Sequence, residues 1–394
     1  DRQMSDEEIA ELIDRRMDVC MEEQPEEFPQ TLGERLKLHR ELFDSFRRLD
    51  ILQELVDDPR VTEIMVNGPD QVFVETGGKI GRWEKSFESR EQLEDLIQQI
   101  VSSVNRIVNT SMPLADARLS DGSRVHVVLE PIALNGPILT IRKFPEPMTM
   151  ERLLDYGSIS PEAADLLKTL VAARYNIFVS GGTGAGKTTF LNALSEFIPP
   201  GERVITIEDA AELQLNHIEN LVRMETREAN AEGAGAIGIG ELIRAALRMR
   251  PDRLIIGEVR GKEALDLLQS LNTGHDGGFS SGHANSVKDM LSRLETMVLM
   301  AADLPLAAIR SQIASAVDIM VHVSRMRDKT RKVTAIEEVD RFENGEIILN
   351  PLFTFREAEK AGDGFGNTGK VEGSLEQIGT LKHREKLRLA GYRV

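Results

Sequence analysis

The amino-acid sequence predicts a mainly parallel α/β fold in its larger, carboxyl-terminal part, preceded by a small α+β domain and a helical segment. Three observations support this prediction. Helical patterns alternate with apolar, β-rich runs from about residue 151 to 340, which is typical of a parallel sheet. Short strand patterns around a single helix occupy about residues 60 to 145. A glycine-rich turn, GGTGAGKTT at residues 181–189, lies between an apolar run and a helix.

Four segments are predicted in order along the chain. Residues 1–55 contain two helical patterns separated by QPEEFPQT. Residues 56–147 contain the strand patterns VTEIMVNG, QVFVET, RVHVVLE and PILTIRKF around the helix REQLEDLIQQIVSSVN. Residues 148–355 carry the apolar strands NIFVSG, RVITIED and RLIIGEV. Residues 356–394 are predicted to be a loosely held tail, because EKAGDGFGNTGKVEGS is polar and rich in glycine.

Composition restricts the classes of function. At 394 residues the chain is too long for one core, and no apolar run is long enough to span a membrane. The acidic, helical amino end predicts no signal peptide. A single cysteine, Cys20, argues against internal disulfides and cysteine-rich zinc modules. The net charge of −17 argues against broad binding to nucleic-acid backbones.

The turn GGTGAGKTT has the spacing G-x4-G-K-T, which predicts a loop that binds nucleotide phosphates. Glycines let backbone N–H groups approach phosphate oxygens that larger side chains would block. Lys187 is predicted to reach the β- and γ-phosphates, and the Thr188 hydroxyl to hold Mg2+. The following helix, TTFLNALSEF, adds its dipole to the site. The predicted nucleoside-triphosphate-binding residues are Gly182, Thr183, Gly184, Ala185, Gly186, Lys187, Thr188 and Thr189.

Two later strands end in carboxylates, where α/β sheets place their ligands. RVITIED ends in Glu208 and Asp209, which are candidates to hold Mg2+ through water or to orient the attacking water. The alternative for this pair is a helix cap or turn. RLIIGEV is in the position of a Walker B strand, but Gly257 stands where a Walker B strand ordinarily has an aspartate. Glu258, which follows it, is therefore the best candidate to polarise water. The alternative for Glu258 is a surface carboxylate paired with Arg260.

The stretch NTGHDGGFSSGHANS contains His275 and His283. With Asp276 nearby, the two histidines suggest a metal site, but no other ligands occur at suitable spacing, which argues against zinc. A histidine at a strand end beside a nucleotide can sense the γ-phosphate through a hydrogen bond. From spacing alone, a structural role remains the alternative for either histidine.

In this order, the motifs resemble those of the ATPases of type II and type IV secretion systems, a branch of RecA-like hexameric motors. The matching stretches are GGTGAGKTT, ITIEDAAEL, LIIGEVRG and TGHDGGFSSGHANS. LRMRPDRLIIGEVRGKEALDLLQSLNTGH resembles the CpaF and conjugation branch. LSRLETMVLMAADLPLAAIRSQIASAVDIMVHVSRMRDKTRKVTAIEEV is similar to CpaF, the motor class of tight-adherence pili. One departure is FSSGHANS, where relatives more often have a threonine and a bulkier residue before the histidine.

The resemblance implies a RecA-like ATPase domain preceded by a PAS-like α+β domain that clamps the nucleotide. It implies a Mg2+-dependent ATP hydrolase, a homohexamer, that assembles or retracts a pilus by acting on inner-membrane platform proteins. The location implied is cytoplasmic and peripheral to the inner membrane, without direct nucleic-acid binding. It also implies that Arg118, Arg124 and Arg142 reach the phosphates, whereas Arg223 and Arg227 are weaker candidates that face a neighbouring subunit.

Several alternatives stay open. The arginines of the smaller domain alternatively pair with local carboxylates such as Asp116 or Asp121. A conjugation-type secretion ATPase would have nearly the same motor core. A helicase or recombinase on the same core is disfavoured by the charge of −17 and the absence of a basic, aromatic-rich stripe. A nucleotide-dependent switch that turns over negligibly is the remaining class.

Overall fold

In the computed structural model the chain forms two compact units, Asp1–Glu146 and Pro147–Val394. The structure describes residues 4–23, 29, 31–104, 106–143, 148–227, 235–358 and 370–393. Most of the predicted break at QPEEFPQT and part of the predicted linker PEPMT lie outside the described residues. Each unit is described by itself below.

The first unit begins with the two predicted helices, α1 (Asp6–Glu23) and α2 (Leu32–Arg47). Helix α2 starts at a capping box, in which the Thr31 hydroxyl accepts a hydrogen bond from the Glu34 backbone N–H while the Glu34 carboxylate accepts one from the Thr31 N–H. This reciprocal pairing satisfies two backbone donors at the helix start. Apolar side chains of the two helices form a small core of their own: Ile9, Ile13, Met17, Leu38, Leu42 and Phe43.

An antiparallel sheet covered by one long helix makes up the rest of the first unit, as the strand patterns predict. A 3-10 turn (Asp50–Leu52) and α3 (Gln53–Asp57) lead into it. Its elements are β1 (Val61–Asn67), β2 (Val72–Thr76), β3 (Lys79–Arg82), α4 (Arg90–Ser103), β4 (Leu114–Arg118), β5 (Arg124–Val128) and β6 (Ile138–Arg142). The strand order is β3-β2-β1-β6-β5-β4. Leu93, Ile97 and Val101 of α4 are fully buried, because they recur at helical spacing and face the sheet.

The second unit is built on nine described strands in one sheet. They are β7 (Ile177–Gly181), β8 (Val204–Glu208), β9 (Leu221–Glu225), β10 (Arg253–Ile256), β11 (Phe279–His283), β12 (Ile319–Arg325), β13 (Arg331–Glu343), β14 (Glu346–Glu357) and β15 (Gly373–Gln377). The strand order is β15-β14-β13-β12-β7-β11-β10-β8-β9. Strands β7 to β12 run parallel, as the alternating pattern predicts, and β13 to β15 extend the sheet antiparallel.

Helices pack on both faces of this sheet, so its central strands are buried on both sides. The helices are α5 (Met150–Asp155), α6 (Pro161–Ala172), α7 (Lys187–Ser195), α8 (Ile239–Ala246), α9 (Glu263–Asn272), α10 (Val287–Ala301), α11 (Leu306–Ala316) and α12 (Glu385–Leu389). One core contains Leu167, Leu191 and Val321, and the other contains Ile243, Leu268 and Met320. The second unit is therefore a mixed α/β layer structure.

The prediction of a loosely held tail is wrong for residues 370–393. Strand β15 pairs with β14 along five residues, and Leu375, Leu381 and Leu387 are buried in the core of the second unit. The glycine-rich stretch that suggested a tail lies largely outside the described residues. The leucines that follow it supply enough apolar area to bind the chain end back onto the domain.

Within the described residues, no single helix combines the length and apolarity needed to cross a membrane. Helices α10 and α11, bent by 119° at their break, meet that criterion only as a pair and only by length and composition.

Candidate active site

The topology brings the predicted catalytic stretches to one edge of the sheet in the second unit, where the carboxyl ends of neighbouring strands lie. Strands β8, β10, β11 and β7 are consecutive neighbours and parallel, so their carboxyl ends meet at the same edge. Glu208 ends β8, Glu258 follows β10, His283 ends β11 and the phosphate loop follows β7. Strand β11 lies between β7 and β10, which places the histidine between the loop and Glu258.

The phosphate loop has the backbone that anion binding requires. Gly184 and Gly186 have φ angles of +70° and +95°, a region that favours glycine. Gly181 lies against the Val323 carbonyl so closely that a Cβ atom there would collide with it. Gly186 is the N-cap of helix α7 and provides no side-chain cap, so the N–H groups of the first turn remain available to phosphate oxygens. The residues therefore fit the phosphates of a nucleotide.

Lys187, His283 and Glu258 form a continuous chain of contacts at this edge. The Lys187 Nζ atom lies 3.1 Å from His283 Nδ1, and His283 Nε2 lies 3.0 Å from Glu258 Oε1. An ammonium group can only donate, so Nδ1 must accept and the proton of a neutral imidazole sits on Nε2, facing Glu258. The histidine thus links the phosphate-binding cation to the candidate base.

Burial and charge keep this chain of groups in a defined protonation state. Burial, reinforced by the positive charge of Lys187, lowers the pKa of His283, and Glu258 opposes the shift only in part. Burial also lowers the pKa of Lys187, against an opposing effect of Glu258. The imidazole is therefore neutral near pH 7, and a lone pair on Nδ1 is available to Lys187.

Backbone contacts fix the position of Glu258. The Ser281 hydroxyl of β11 donates a hydrogen bond of 2.6 Å to the Gly257 carbonyl, and the Val259 N–H donates to the Ser281 carbonyl. Glu258 Oε1 also lies 3.3 Å from Arg260 Nε, so the local ion pair considered from the sequence is present beside the histidine contact. Arg260 is itself largely exposed, whereas the Glu258 side chain is mostly buried.

Glu208 has a different environment from Glu258. It is 3% exposed, and its Oε1 atom accepts hydrogen bonds from the backbone N–H groups of Glu212 and Leu213 at 2.8 and 3.0 Å. Burial raises the pKa of Glu208, and the two backbone hydrogen bonds counter this rise. Gly257 makes room for it, because a Cβ there would lie 2.9 Å from the Glu208 Cγ. One of its oxygens therefore holds the turn after β8, as the cap alternative predicts.

The donors at this edge suit a magnesium ion held mainly by a nucleotide. Thr188 lies in the first turn of α7, and Asp209 is half exposed with its Oδ2 3.9 Å from Arg260 Nη1. The described residues contain no cluster of three or more histidine, cysteine or carboxylate groups that could hold a metal alone. Mg2+ keeps several waters and commonly takes few protein ligands beside substrate phosphates, so Thr188 is a fitting ligand.

In the first unit, the three predicted arginines lie in one row across neighbouring strands. Arg118 of β4 is opposite Arg124 of β5, which is opposite Arg142 of β6, and Glu63 of β1 follows in the same row. Directly opposite residues share a face of the sheet, so the three guanidinium groups are brought together. Their contact with nucleotide stays a prediction.

The remaining candidates lie apart from this chain of contacts. His275 precedes β11, whereas His283 ends it, so the two histidines lie at opposite ends of this strand. Arg223 lies on the edge strand β9. The Arg227 Nε donates a hydrogen bond of 2.7 Å to the Gly235 carbonyl. Their predicted contact with a neighbouring subunit is untested.

One loop contact is absent from the sequence predictions. Arg331, at the start of β13, donates a hydrogen bond of 3.0 Å from Nε to the carbonyl of Gly184. Its stem packs on Gly186, where a Cβ would lie 3.1 Å from the Arg331 Cδ. No nucleotide-binding motif marks this residue, which the sequence places in the basic run SRMRDKTRK, within the stretch that resembles the pilus motors.

Comparison with known proteins agrees with this geometry. The pattern of the family described as type II/IV secretion system protein matches residues 47–352, which is most of the chain. A putative conjugal transfer protein of Mycobacterium tuberculosis is 39% identical over 293 residues, covering 73% of this chain and 83% of the relative. The type IV secretion system protein PtlH of Bordetella pertussis is 35% identical over 291 residues, covering 67% of this chain and 86% of the relative.

Among solved structures, the pilus retraction motor PilT with bound ADP superposes with a TM-score of 0.55 at 18% identity, covering 77% of this chain and 81% of PilT. At that identity the likeness concerns the fold alone. The chain belongs to the type II/IV secretion system protein family. It is an ATP-hydrolysing enzyme of that family, with the phosphate loop and the Lys187–His283–Glu258 contacts at its candidate active site.

Proposed function

We propose that this chain is the motor of a type IV secretion apparatus of the conjugal-transfer class, which uses ATP hydrolysis to drive transfer. The observation that carries the proposal is the contact chain Lys187–His283–Glu258 at the end of three neighbouring parallel strands. It joins a phosphate-binding cation to a carboxylate that can act as a general base toward water. The names of two relatives, a conjugal transfer protein and a type IV secretion protein, support the class of machine.

In this proposal the second unit is a RecA-like ATPase domain and the first contains a PAS-like nucleotide clamp. Lys187 and the amides of the loop bind the β- and γ-phosphates, and Glu258 takes a proton from the attacking water. Thr188 would hold Mg2+, which neutralises charge on the phosphate oxygens when bound. The working form is a homohexamer in the cytoplasm, peripheral to the inner membrane, and Arg118, Arg124 and Arg142 supply further cations to the nucleotide.

A tight-adherence pilus motor acting on inner-membrane platform proteins is the second candidate. The observation that favours it is the similarity to that motor class of LSRLETMVLMAADLPLAAIRSQIASAVDIMVHVSRMRDKTRKVTAIEEV. This stretch begins within α10, continues through α11 and β12, and ends within β13. The names of the relatives favour conjugal transfer over this reading.

The two candidates separate in a strain that lacks the gene for this chain. The strain is complemented with the wild type or with Glu258→Gln, and both plasmid transfer to a recipient and surface pili are counted. Loss of transfer with normal pili supports the secretion motor, whereas loss of pili with normal transfer supports the pilus motor. Steady-state hydrolysis of the purified protein with and without DNA is the companion measurement, because a helicase would be stimulated by DNA. Negligible turnover in every condition would make the protein a nucleotide switch.

A further inference from the structure

A hairpin beside the phosphate loop carries two arginines whose charges no described carboxylate balances. Arg325 ends β12, Arg331 begins β13, and the two are directly opposite in the antiparallel pairing. Within the described ranges, neither of them forms an ion pair. Like charges directly opposite each other on neighbouring strands are destabilising. An anion that approaches both guanidinium groups would relieve this repulsion.

The same two arginines lie along the phosphate loop. Arg331 donates from Nε to the Gly184 carbonyl at 3.0 Å, and its stem covers Gly186. Arg325 Nη1 is 4.0 Å from the place where a Cβ would stand on Gly184. Both residues are exposed, so their remaining N–H groups are accessible to a molecule bound at the loop. A guanidinium group is always charged and suits phosphate oxygens geometrically.

The tip of the hairpin is held in place by a single carboxylate. Asp328 accepts hydrogen bonds at Oδ1 from the Thr330 N–H and hydroxyl, at 3.0 and 2.6 Å, and at Oδ2 from the Val371 N–H at 2.7 Å. These hydrogen bonds, above all that from the Thr330 hydroxyl, lower the pKa of Asp328 to about 2, so it is ionised at neutral pH. A fixed hairpin loses little conformational entropy when a ligand binds, which favours its use as a binding element.

The position of the hairpin indicates which end of the nucleotide it meets. Strand β7 has β11 on one side and β12 on the other. His283 and Glu258 belong to the β11 side, so the γ-phosphate must point that way for hydrolysis. The α-phosphate and ribose then extend from the loop toward the β12 side. We propose that Arg325 and Arg331 bind the α-phosphate and ribose end of the nucleotide and so set the affinity for ATP and ADP alike. This inference rests on the ATP site of the proposed function.

The test compares Arg325→Gln and Arg331→Gln with a matched control from the same hairpin. Arg327→Gln makes the same change of charge, but Arg327 is paired with Glu357, with Nη1 2.8 Å from Oε2. Affinity for ADP and for inorganic pyrophosphate is measured by calorimetry on the full chain, together with the steady-state kinetics of ATP hydrolysis. Loss of one charge-assisted contact corresponds to a loss of affinity of about tenfold.

We expect Arg325→Gln and Arg331→Gln each to weaken ADP binding and raise KM for ATP by about tenfold, with kcat nearly unchanged, as for uniform binding. Pyrophosphate affinity should stay at the wild-type value, because the loop amides and Lys187 hold that ion. Unchanged ADP affinity in both variants would overturn the proposal. So would an equal loss of pyrophosphate affinity, which would mean that the arginines only shape the loop. Arg325→Gln is decisive here, because no hydrogen bond joins Arg325 to the loop within the described residues. These in vitro results are independent of the transfer and pilus counts that test the proposed function.

Discussion

The amino ends and the carboxyl ends of the parallel strands in the second unit differ in how their charged side chains are paired. At the amino ends, buried charges have partners inside the protein. Arg253, which is fully buried at the start of β10, is paired with Glu202, and Asp318, just before β12, accepts a hydrogen bond of 2.7 Å from Lys386. At the carboxyl ends, the hydrogen-bond partners of the Lys187 Nζ among the described residues are a neutral histidine and one carbonyl, with Glu258 acting on it only through its charge. The Arg325–Arg331 pair forms no ion pair within the described residues, so at this end Glu258, which lies beside Arg260, is the better-paired charge.

Within one sheet, the paired charges at one end contribute to stability, and the incompletely paired charges at the other end contribute to function. A buried charge that is paired internally stabilises the fold only while both partners remain, and removing one partner is costly. A charge that is desolvated but incompletely paired gains its partner when a ligand binds, so it contributes to function at the expense of stability. Changes at the carboxyl ends should therefore alter activity without unfolding the protein, and changes at the amino ends should do the reverse.

The largest expected effect comes from Lys187→Ala. Hydrolysis should fall to the assay background, because the main positive charge on the β- and γ-phosphates is removed. The free energy of unfolding should change by less than about 1 kcal/mol, because burial already disfavours the charged form of this lysine. Phosphate release and denaturant unfolding measure the two quantities. Normal hydrolysis by a folded variant would refute the phosphate-loop assignment.

The next largest effect is expected for Glu258→Gln, which should retain ATP binding. Its hydrolysis rate should fall by about a hundredfold or more, the usual size of a general-base effect. Glu208→Gln is the matched control. Its side-chain carbonyl can still accept the two backbone hydrogen bonds from residues 212 and 213, so the rate should fall less. Single-turnover hydrolysis and nucleotide binding are measured on both variants. A near wild-type rate in Glu258→Gln, with a large loss in Glu208→Gln, would make Glu208 the base.

Much of this arrangement could be predicted from the sequence because it is local. Strands β7, β8 and β10 are continuous buried runs, and the turns that follow them carry the glycines and carboxylates of recognisable spacing. Strand β11 is harder to predict, since most residues of FSSGH are small or polar. It is buried because its glycine at 282 allows close approach, with a Cβ there 2.8 Å from the Met290 side chain.

Two of the contacts that were not predicted join residues distant in sequence. The Glu338 carboxylate, 1% exposed, accepts hydrogen bonds from the backbone N–H groups of Lys382 and His383, which fixes the chain end on β13. The pairing of Arg331 with Gly184 likewise depends on β12 and β13 folding beside β7. Periodicity and spacing describe neighbours along the chain, so they contain no information on which distant groups meet across a sheet.

The smallest expected effect, and the one that tests the amino ends, is that of Lys386→Met. The Lys386 Nζ donates hydrogen bonds of 2.7 Å to both Asp276 and Asp318, and burial raises the pKa of Asp318 while Lys386 lowers it. Without the ammonium, two carboxylates lose a shared partner, and we expect a loss of about 2 kcal/mol in the free energy of unfolding at pH 7.

The sign with pH follows from protonation. The lost interaction requires ionised Asp318, so the destabilisation is present above the folded-state pKa of Asp318 and shrinks as pH falls through it. Urea unfolding at pH 7 and at pH 4 measures both values, with Lys168→Met, an exposed lysine on α6, as the control. Hydrolysis by folded Lys386→Met at low temperature should match the wild type. A destabilisation that grows toward acid pH, or a loss of hydrolysis without loss of stability, would contradict the division between the two ends of the sheet.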